Sequence, residues 1–294
     1  MDDATLAALR TAAVAVSDIG FAAMVGMLAT RALLGDAASD WAMRCLRRCR
    51  RAFMRAGWLT LVANLAWMAA QALSLTDAPL AEALAAVGGI VVDTPFGRAW
   101  AIATLAVAAA VALLALRPRR APPLRLLALF LAVAGVAHAC AGHAGANGLG
   151  LAAALMSAHV LATSVWTGVV FAAVLCVARG APDAGDGPRY AARLSTVATW
   201  ALAVVALTGG WSAWHGLGGS LAPLASSPWG KTLDVKFALV CGAVALGAFD
   251  RFVVLPRLPR AWPRFARVLR IEAALLAAVL IAAALLANGE PPAV

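Results

Sequence analysis

The chain has 294 residues, of which 63% are hydrophobic and only 13% are charged. Soluble globular domains carry about a quarter charged residues and somewhat under half apolar ones, so this composition excludes a soluble globule. The mean hydropathy of +0.87 agrees. The sequence therefore predicts an all-α, polytopic membrane protein.

Eight apolar stretches are each long enough to cross a bilayer, which takes about 20 helical residues. The first stretch is too long and too polar at its flanks for a cleavable signal peptide, so we expect a retained span. The eight predicted transmembrane helices cover residues 7–33, 53–75, 98–116, 124–142, 151–178, 194–215, 231–254 and 269–287.

The formal net charge of +10 raises the question of nucleic-acid binding, but the charge alternates from loop to loop. Arginines crowd the segment 31–55 and recur near 117–125, 179–193 and 251–270. The loop 76–97 is acidic instead, and 144–150 is uncharged. Because cytoplasmic loops of membrane proteins collect Lys and Arg, this pattern predicts an N-out, C-out topology and no nucleic-acid partner.

Five cysteines do not form a disulfide framework. Cys45 and Cys49 fall in the first basic, reducing loop, and Cys176 and Cys241 fall within spans or toward the membrane. Cys140 alone lies near the predicted outer face, so it has no disulfide partner there. Cys45 and Cys49 are predicted to be structural, since arginines around them would repel a metal cation.

An internal repeat is visible in the openings of two spans. Residues 93–98 (Asp-Thr-Pro-Phe-Gly-Arg) and 227–231 (Ser-Pro-Trp-Gly-Lys) share the order hydroxyl, Pro, aromatic, Gly, basic. Pro after Ser or Thr is a good helix start. Aligning the halves places Gly26 on Gly168 and Ser17 on His159. We interpret residues 1–143 and 144–294 as two parallel four-helix halves, an arrangement known in transporters.

All four histidines lie near the predicted outer side of the membrane. His138 and His143 flank Cys140, His159 lies well inside an apolar helix, and His215 closes the sixth span. Ionisable side chains inside hydrocarbon are costly and usually face a cavity or a partner. Imidazole, thiolate and thioether are also the ligands that copper-like ions prefer.

The fifth span gives the sharpest pattern, because Met156, His159, Thr163 and Trp166 share one helical face. The short loop 144–150 makes spans four and five antiparallel neighbours. The sequence therefore predicts a histidine-lined copper site that opens outward. Its predicted ligands are His143 and His159, completed or relayed by His138, Met156, Cys140 and His215.

Plainer interpretations stay open for each of these residues. A single histidine near a helix end is more often a hydrogen-bonded interfacial residue, and Cys140 is more often a small core residue. Lys236, early in the seventh span, either reaches the outer interface or pairs with a carboxylate, for which Asp18 and Asp234 are the candidates.

Several short motifs in a fixed order resemble the copper resistance D (CopD) membrane domain. They are Gly142-His143-Ala144, His159 with Trp166 and Gly168 after it, Leu207-Thr208-Gly209, the 227–231 segment and Lys236. Residues 138–288 carry nearly all of this pattern. The first half matches in span layout and charge.

The resemblance implies an inner-membrane protein of copper homeostasis that moves copper from periplasm to cytoplasm. It also implies His143 and His159 as copper ligands, with Trp166 and Gly168 packed behind them. We expect no fused periplasmic copper-binding domain, so a separate partner of the CopC type would supply the metal. A sensor or assembly role also stays open, as does the oligomeric state.

Two other function classes compete. A haem-binding electron-transfer protein would use His138 and His159 as axial ligands. A membrane enzyme would need a catalytic motif, and we find no HExxH, no GxSxG, no phosphate-binding loop and no paired intramembrane carboxylates. The sequence therefore predicts a protein that is not an enzyme.

Overall fold

A computed structural model of the chain describes residues 2–36, 39–117, 123–142, 150–177, 185–258 and 260–289. Throughout these ranges the regular structure is helical, without strands. In chain order the α-helices described are α1 Asp3–Leu34, α2 Asp40–Thr76, α3 Leu80–Asp93, α4 Pro95–Ala115, α5 Leu124–Cys140, α6 Leu151–Val177, α7 Asp186–Gly216, α8 Ala222–Ser226, α9 Pro228–Phe249 and α10 Trp262–Asn288.

The helices show that the protein is a multi-pass membrane protein. Within the described ranges, seven are long and apolar enough to cross a bilayer, namely α1, α2, α4, α6, α7, α10 and α9 with its continuation to Arg257. The predicted fourth span corresponds to α5, an apolar helix of 17 residues. All eight predicted spans fall on helices.

Three predicted loops prove to be partly helical. Helix α2 begins at Asp40, so Cys45 and Cys49 lie on a helix and not in a loop. The Ser39 side chain caps this helix by accepting from the Ala42 N–H at 3.2 Å, and its Arg, Leu and Met residues favour helix. Likewise α7 begins at Asp186, and the loop 76–97 contains α3.

Helices α1 and α6 approach each other backbone to backbone at two glycines. An added Cβ at Gly26 would lie 1.7 Å from the Gly168 carbonyl oxygen, and one at Gly168 would lie 2.1 Å from the Ala22 carbonyl oxygen. Small residues let membrane helices approach backbone to backbone. Gly168 therefore sets the position of α6, the helix that carries His159.

The two predicted helix starts have the same local structure. Thr94 Oγ1 accepts from the Gly97 N–H and Ser227 Oγ accepts from the Gly230 N–H, each at 2.9 Å. An added Cβ on either glycine would lie 2.1 Å from the carbonyl oxygen of a preceding residue. The prediction that these segments initiate α4 and α9 is confirmed.

A buried cluster lies where the arginine-bearing ends of the helices meet. Trp41 and Tyr190 are buried there, edge to face with ring centroids 5.7 Å apart. The Cys45 thiol donates to the Cys176 carbonyl at 3.8 Å, and both cysteines are fully buried in this cluster. These thiols act as small core residues, as predicted for Cys45.

Gly26→Ala and Gly88→Ala form a matched pair that tests the α1–α6 contact. The first change forces the two helices apart and should cost about 1–3 kcal/mol or more, the cost of overpacking. Gly88 has no atom within 4 Å of an added Cβ, so its change should be neutral or stabilising by up to about 1 kcal/mol. Thermal unfolding in detergent measures both. Equal melting temperatures for the two variants would contradict the contact.

Candidate functional site

His159 lies roughly 12 Å along α6 from its first residue, at 1.5 Å per residue. Its Nδ1 is 3.0 Å from Thr208 Oγ1 on α7. Thr208 Oγ1 is also 2.6 Å from the Val204 carbonyl oxygen, to which it donates. A hydroxyl has a single proton to donate, so the His159 Nδ1–H is the donor to Thr208. The lone pair of a neutral His159 is therefore on Nε2.

Gly209 makes room for the imidazole. An added Cβ at this position would lie 2.9 Å from His159 Cε1. The Leu207-Thr208-Gly209 segment thus has two functions at the ring: Thr208 fixes its orientation and Gly209 leaves it space. The sequence identified this segment only through the family resemblance.

His138 pairs with Asp18, a contact that the sequence did not predict. Its Nε2 lies 2.9 Å from Asp18 Oδ1, and the two side chains are 21% and 22% exposed. The indole of Trp67 packs on the imidazole edge to face, with ring centroids 5.6 Å apart. His138 is thus held between α1 and α2, and Asp18 has an imidazole as its direct partner.

Lys236 lies near this pair. Its ammonium is close enough for charge interaction with both Asp18 and His159. It makes no ion pair within 4.0 Å to any residue that the structure describes, and Asp234 is exposed. The predicted partnership with Asp18 is therefore electrostatic and not a direct contact.

A buried hydrogen-bond chain continues from Ser17 beside Asp18. Ser17 Oγ donates to Asn64 Oδ1 at 2.7 Å, and Asn64 Nδ2 donates to Thr104 Oγ1 at 3.2 Å. Trp100 Nε1 donates to the Asn64 carbonyl at 3.0 Å. This chain ties α1, α2 and α4 together and holds the stretch of α1 that carries Asp18.

The other predicted ligands are more dispersed. His215 is exposed, its Nδ1 donates to the Trp211 carbonyl at 2.9 Å, and its ring stacks on that indole. Cys140 has a free, half-buried thiol, and Met156 is half-buried one turn from His159. His143 lies outside the described residues. In the described ranges no three His, Cys, Asp or Glu side chains are placed to hold one metal ion, so the convergence of all six ligands stays a prediction.

Sequence reasoning missed two carboxyl groups inside the bundle. Asp250 and Glu272 are each 4% exposed, and both line a cavity of about 230 Å³. The expectation of no paired intramembrane carboxylates was wrong. The two residues are far apart in the sequence, and Asp250 precedes Arg251 in a basic segment that was interpreted only as a topology signal.

The helices and the imidazole inside them define a multi-pass membrane protein with a polar site in its interior. Residues 1–153, more than half of the chain, match the family described as Copper resistance protein D-like, N-terminal domain. Residues 188–286 match Copper resistance protein D. The chain belongs to the copper resistance protein D family. No curated protein and no solved structure matches it significantly.

Asn64→Leu tests the hydrogen-bond chain beside Asp18. The change leaves the buried Ser17 hydroxyl without its acceptor, and an unsatisfied buried group costs about 1–3 kcal/mol. The melting temperature should fall, while the exposed Thr196→Val should leave it nearly unchanged. If Asn64→Leu has the same melting temperature as the unchanged protein, the hydrogen-bond chain contributes nothing to stability.

Proposed function

We propose that the protein binds copper ions and moves them from the periplasm into the cytoplasm across the bacterial inner membrane. His159 is the central ligand of the proposed path. The observation that carries this proposal is its hydrogen bond: Thr208 holds Nδ1 at 3.0 Å, which leaves Nε2 to bind a metal. Membership of the copper resistance protein D family indicates that this metal is copper.

The chemistry of the donors fits copper. Histidines that bind metals almost always donate their second ring N–H to an oxygen, which fixes the tautomer and the ring orientation. Thr208 has that role for His159. Met156 lies one turn away on the same helix and offers a thioether, a soft ligand suited to Cu(I). His143, His138, Cys140 and His215 are proposed as further ligands along the entry path.

The charges near His159 favour passage over storage. Lys236 places an ammonium within interaction range of the ring, which opposes a long-lived cation there. Asp18 offsets part of that charge, because it interacts with both Lys236 and His138. An ion held by His159 would therefore be bound weakly enough to leave, as conduction requires.

Two similarities between the halves support the proposed parallel repeat. Ser17 on α1 bonds Asn64 on α2, and His159 on α6 bonds Thr208 on α7. The starts of α4 and α9 are also alike. We propose eight spans in two halves with both termini outside, since arginines cluster at the opposite ends. Only the second half carries an imidazole at this position, so the halves differ in function.

A periplasmic protein of the CopC type is the proposed copper donor. The haem alternative is not favoured, because His138 Nε2 is paired with Asp18 and the family is one of copper resistance. Copper resistance protein D is not a known enzyme family, and we propose binding and transport without catalysis.

His159→Ala and His215→Ala, two single-imidazole deletions, test the assignment. Purified protein is loaded with copper, and the bound metal is measured together with the absorption spectrum. His159→Ala should lose the bound copper, because it removes the oriented Nε2, while its helicity and insertion remain. His215→Ala removes an exposed ring that is proposed only for the entry path, so most of the bound copper should remain. Full copper binding by a folded His159→Ala protein would contradict the proposal, and a Soret band would favour haem.

Thr208→Val and Thr208→Ser test the orienting hydrogen bond. Valine has nearly the same shape but cannot accept from Nδ1, so copper affinity should fall by about 10–100-fold, as for other lost metal-site partners. Serine keeps the hydroxyl and should restore most of the affinity. Competition with a chromophoric copper chelator gives both dissociation constants. Equal affinities for valine and serine would show that Thr208 does not orient the ligand.

A further inference from the structure

A second polar site lies between α6, α7, α9 and α10. The cavity of about 230 Å³ is walled mainly by apolar residues and backbone, with Trp166 and Val170 from α6 on one side and Phe265 and Leu269 from α10 on the other. Asp250 and Glu272 are the acidic groups of its lining. The arrangement places two carboxyl groups in an apolar chamber at the arginine-rich end of the bundle.

Asp250 lacks the partners that an ionised carboxylate needs, and Glu272 has few of them. Asp250 is 4% exposed, and both of its carboxyl oxygens are buried without a hydrogen-bond partner among the described residues. Glu272 is equally buried, with the Trp166 indole N–H as its donor and the Gly247 backbone beside it. The two groups also repel each other when charged. Because burying an unpaired charge is far more costly than neutralising it, a compensating cation stabilises such a pair.

Arg251 does not provide that compensation. It is the basic residue of the cavity lining, yet its guanidinium donates to Ser195 Oγ at 3.0 Å and to Thr199 Oγ1 at 3.2 Å. It forms no ion pair with either acid in the described part of the chain. The charged groups that face the cavity are thus Asp250, Glu272 and an arginine whose guanidinium is already hydrogen-bonded to α7.

A metal ion is a poor occupant for this cavity, whose lining has no imidazole or sulfur for a soft ion. Hard cations need six or more oxygen ligands, and the cavity has only two carboxyl groups beyond the hydroxyls that hold Arg251. A proton needs a single lone pair. Asp250 also opens a π-helical turn, residues 250–254, and such turns occur frequently at functional sites.

We propose that Asp250 and Glu272 form a proton-binding carboxyl pair, which holds at least one proton at neutral pH. Each protonation converts one carboxylate and one proton from water into a neutral carboxylic acid. The pair lies on the side of α6 that carries Trp166. This tryptophan is seven residues, or roughly 10 Å along the helix, beyond His159. The bundle thus has a proton site at its arginine-rich end, separate from the imidazole site. The proposal does not depend on copper.

Infrared spectroscopy of metal-free protein in liposomes tests it. At neutral pH the native protein should show the C=O stretch of a buried carboxylic acid, which shifts in D₂O. The band should disappear in Asp250→Asn/Glu272→Gln. It should persist in Asp234→Asn, which removes an exposed carboxyl group from the same helix. A native protein without the band, or a double variant that keeps it, would overturn the proposal.

A second measurement uses only the native chain, so it does not depend on whether the variants fold. Apolar carbodiimides react with protonated carboxyl groups, and mass spectrometry locates the adduct. Labelling of Asp250 or Glu272 at neutral pH that falls as the pH rises supports the proton site. Labelling confined to exposed carboxyl groups, with both cavity acids unmodified at acidic as well as neutral pH, contradicts it.

Discussion

Polar side chains in the interior of this bundle have no water to bind, and this constraint sets much of its architecture. An unsatisfied polar group in hydrocarbon costs several kcal/mol, so a partner on a neighbouring helix stabilises such a group. Ser17 bonds to Asn64, His138 pairs with Asp18, and His159 bonds to Thr208. These pairs fix the rotation of α1, α5 and α6 about their axes, which van der Waals packing of alanine and leucine leaves loosely defined.

The same constraint supports the proposed role of His159 as a ligand. Thr208 uses its only proton on the Val204 carbonyl, so it can accept from one ring nitrogen of His159 but leaves the other free. The α1–α6 glycine contact holds the helix that carries the ring. Lys236 then adds positive charge nearby, which limits how tightly a cation is held. An imidazole that is oriented, has a free nitrogen and lies near a positive charge fits a site through which copper passes better than a site that stores copper.

Most of the fold was predictable from the sequence, because apolar length and arginine clustering mark membrane helices directly. The starts of α4 and α9 were predictable from the Pro-aromatic-Gly segments. Helix extensions outside the membrane, such as residues 40–52 of α2, were not, since the hydropathy pattern does not mark them. The placement of His159 on an inward face was predictable from helical spacing, but its partner Thr208 was not, because pairing between helices depends on their rotation. Asp250 and Glu272 were missed for a related reason: only the packing of α9 on α10 brings them to one cavity.

X-ray absorption at the copper edge, on loaded native protein and on His159→Ala, tests the central claim most directly. We expect imidazole scattering in the spectrum of the native protein. This scattering should be weakened or lost in the variant when both samples have the same protein concentration. Identical copper coordination in the two samples would contradict it, because the metal would then be bound without the imidazole that Thr208 orients inside the bundle.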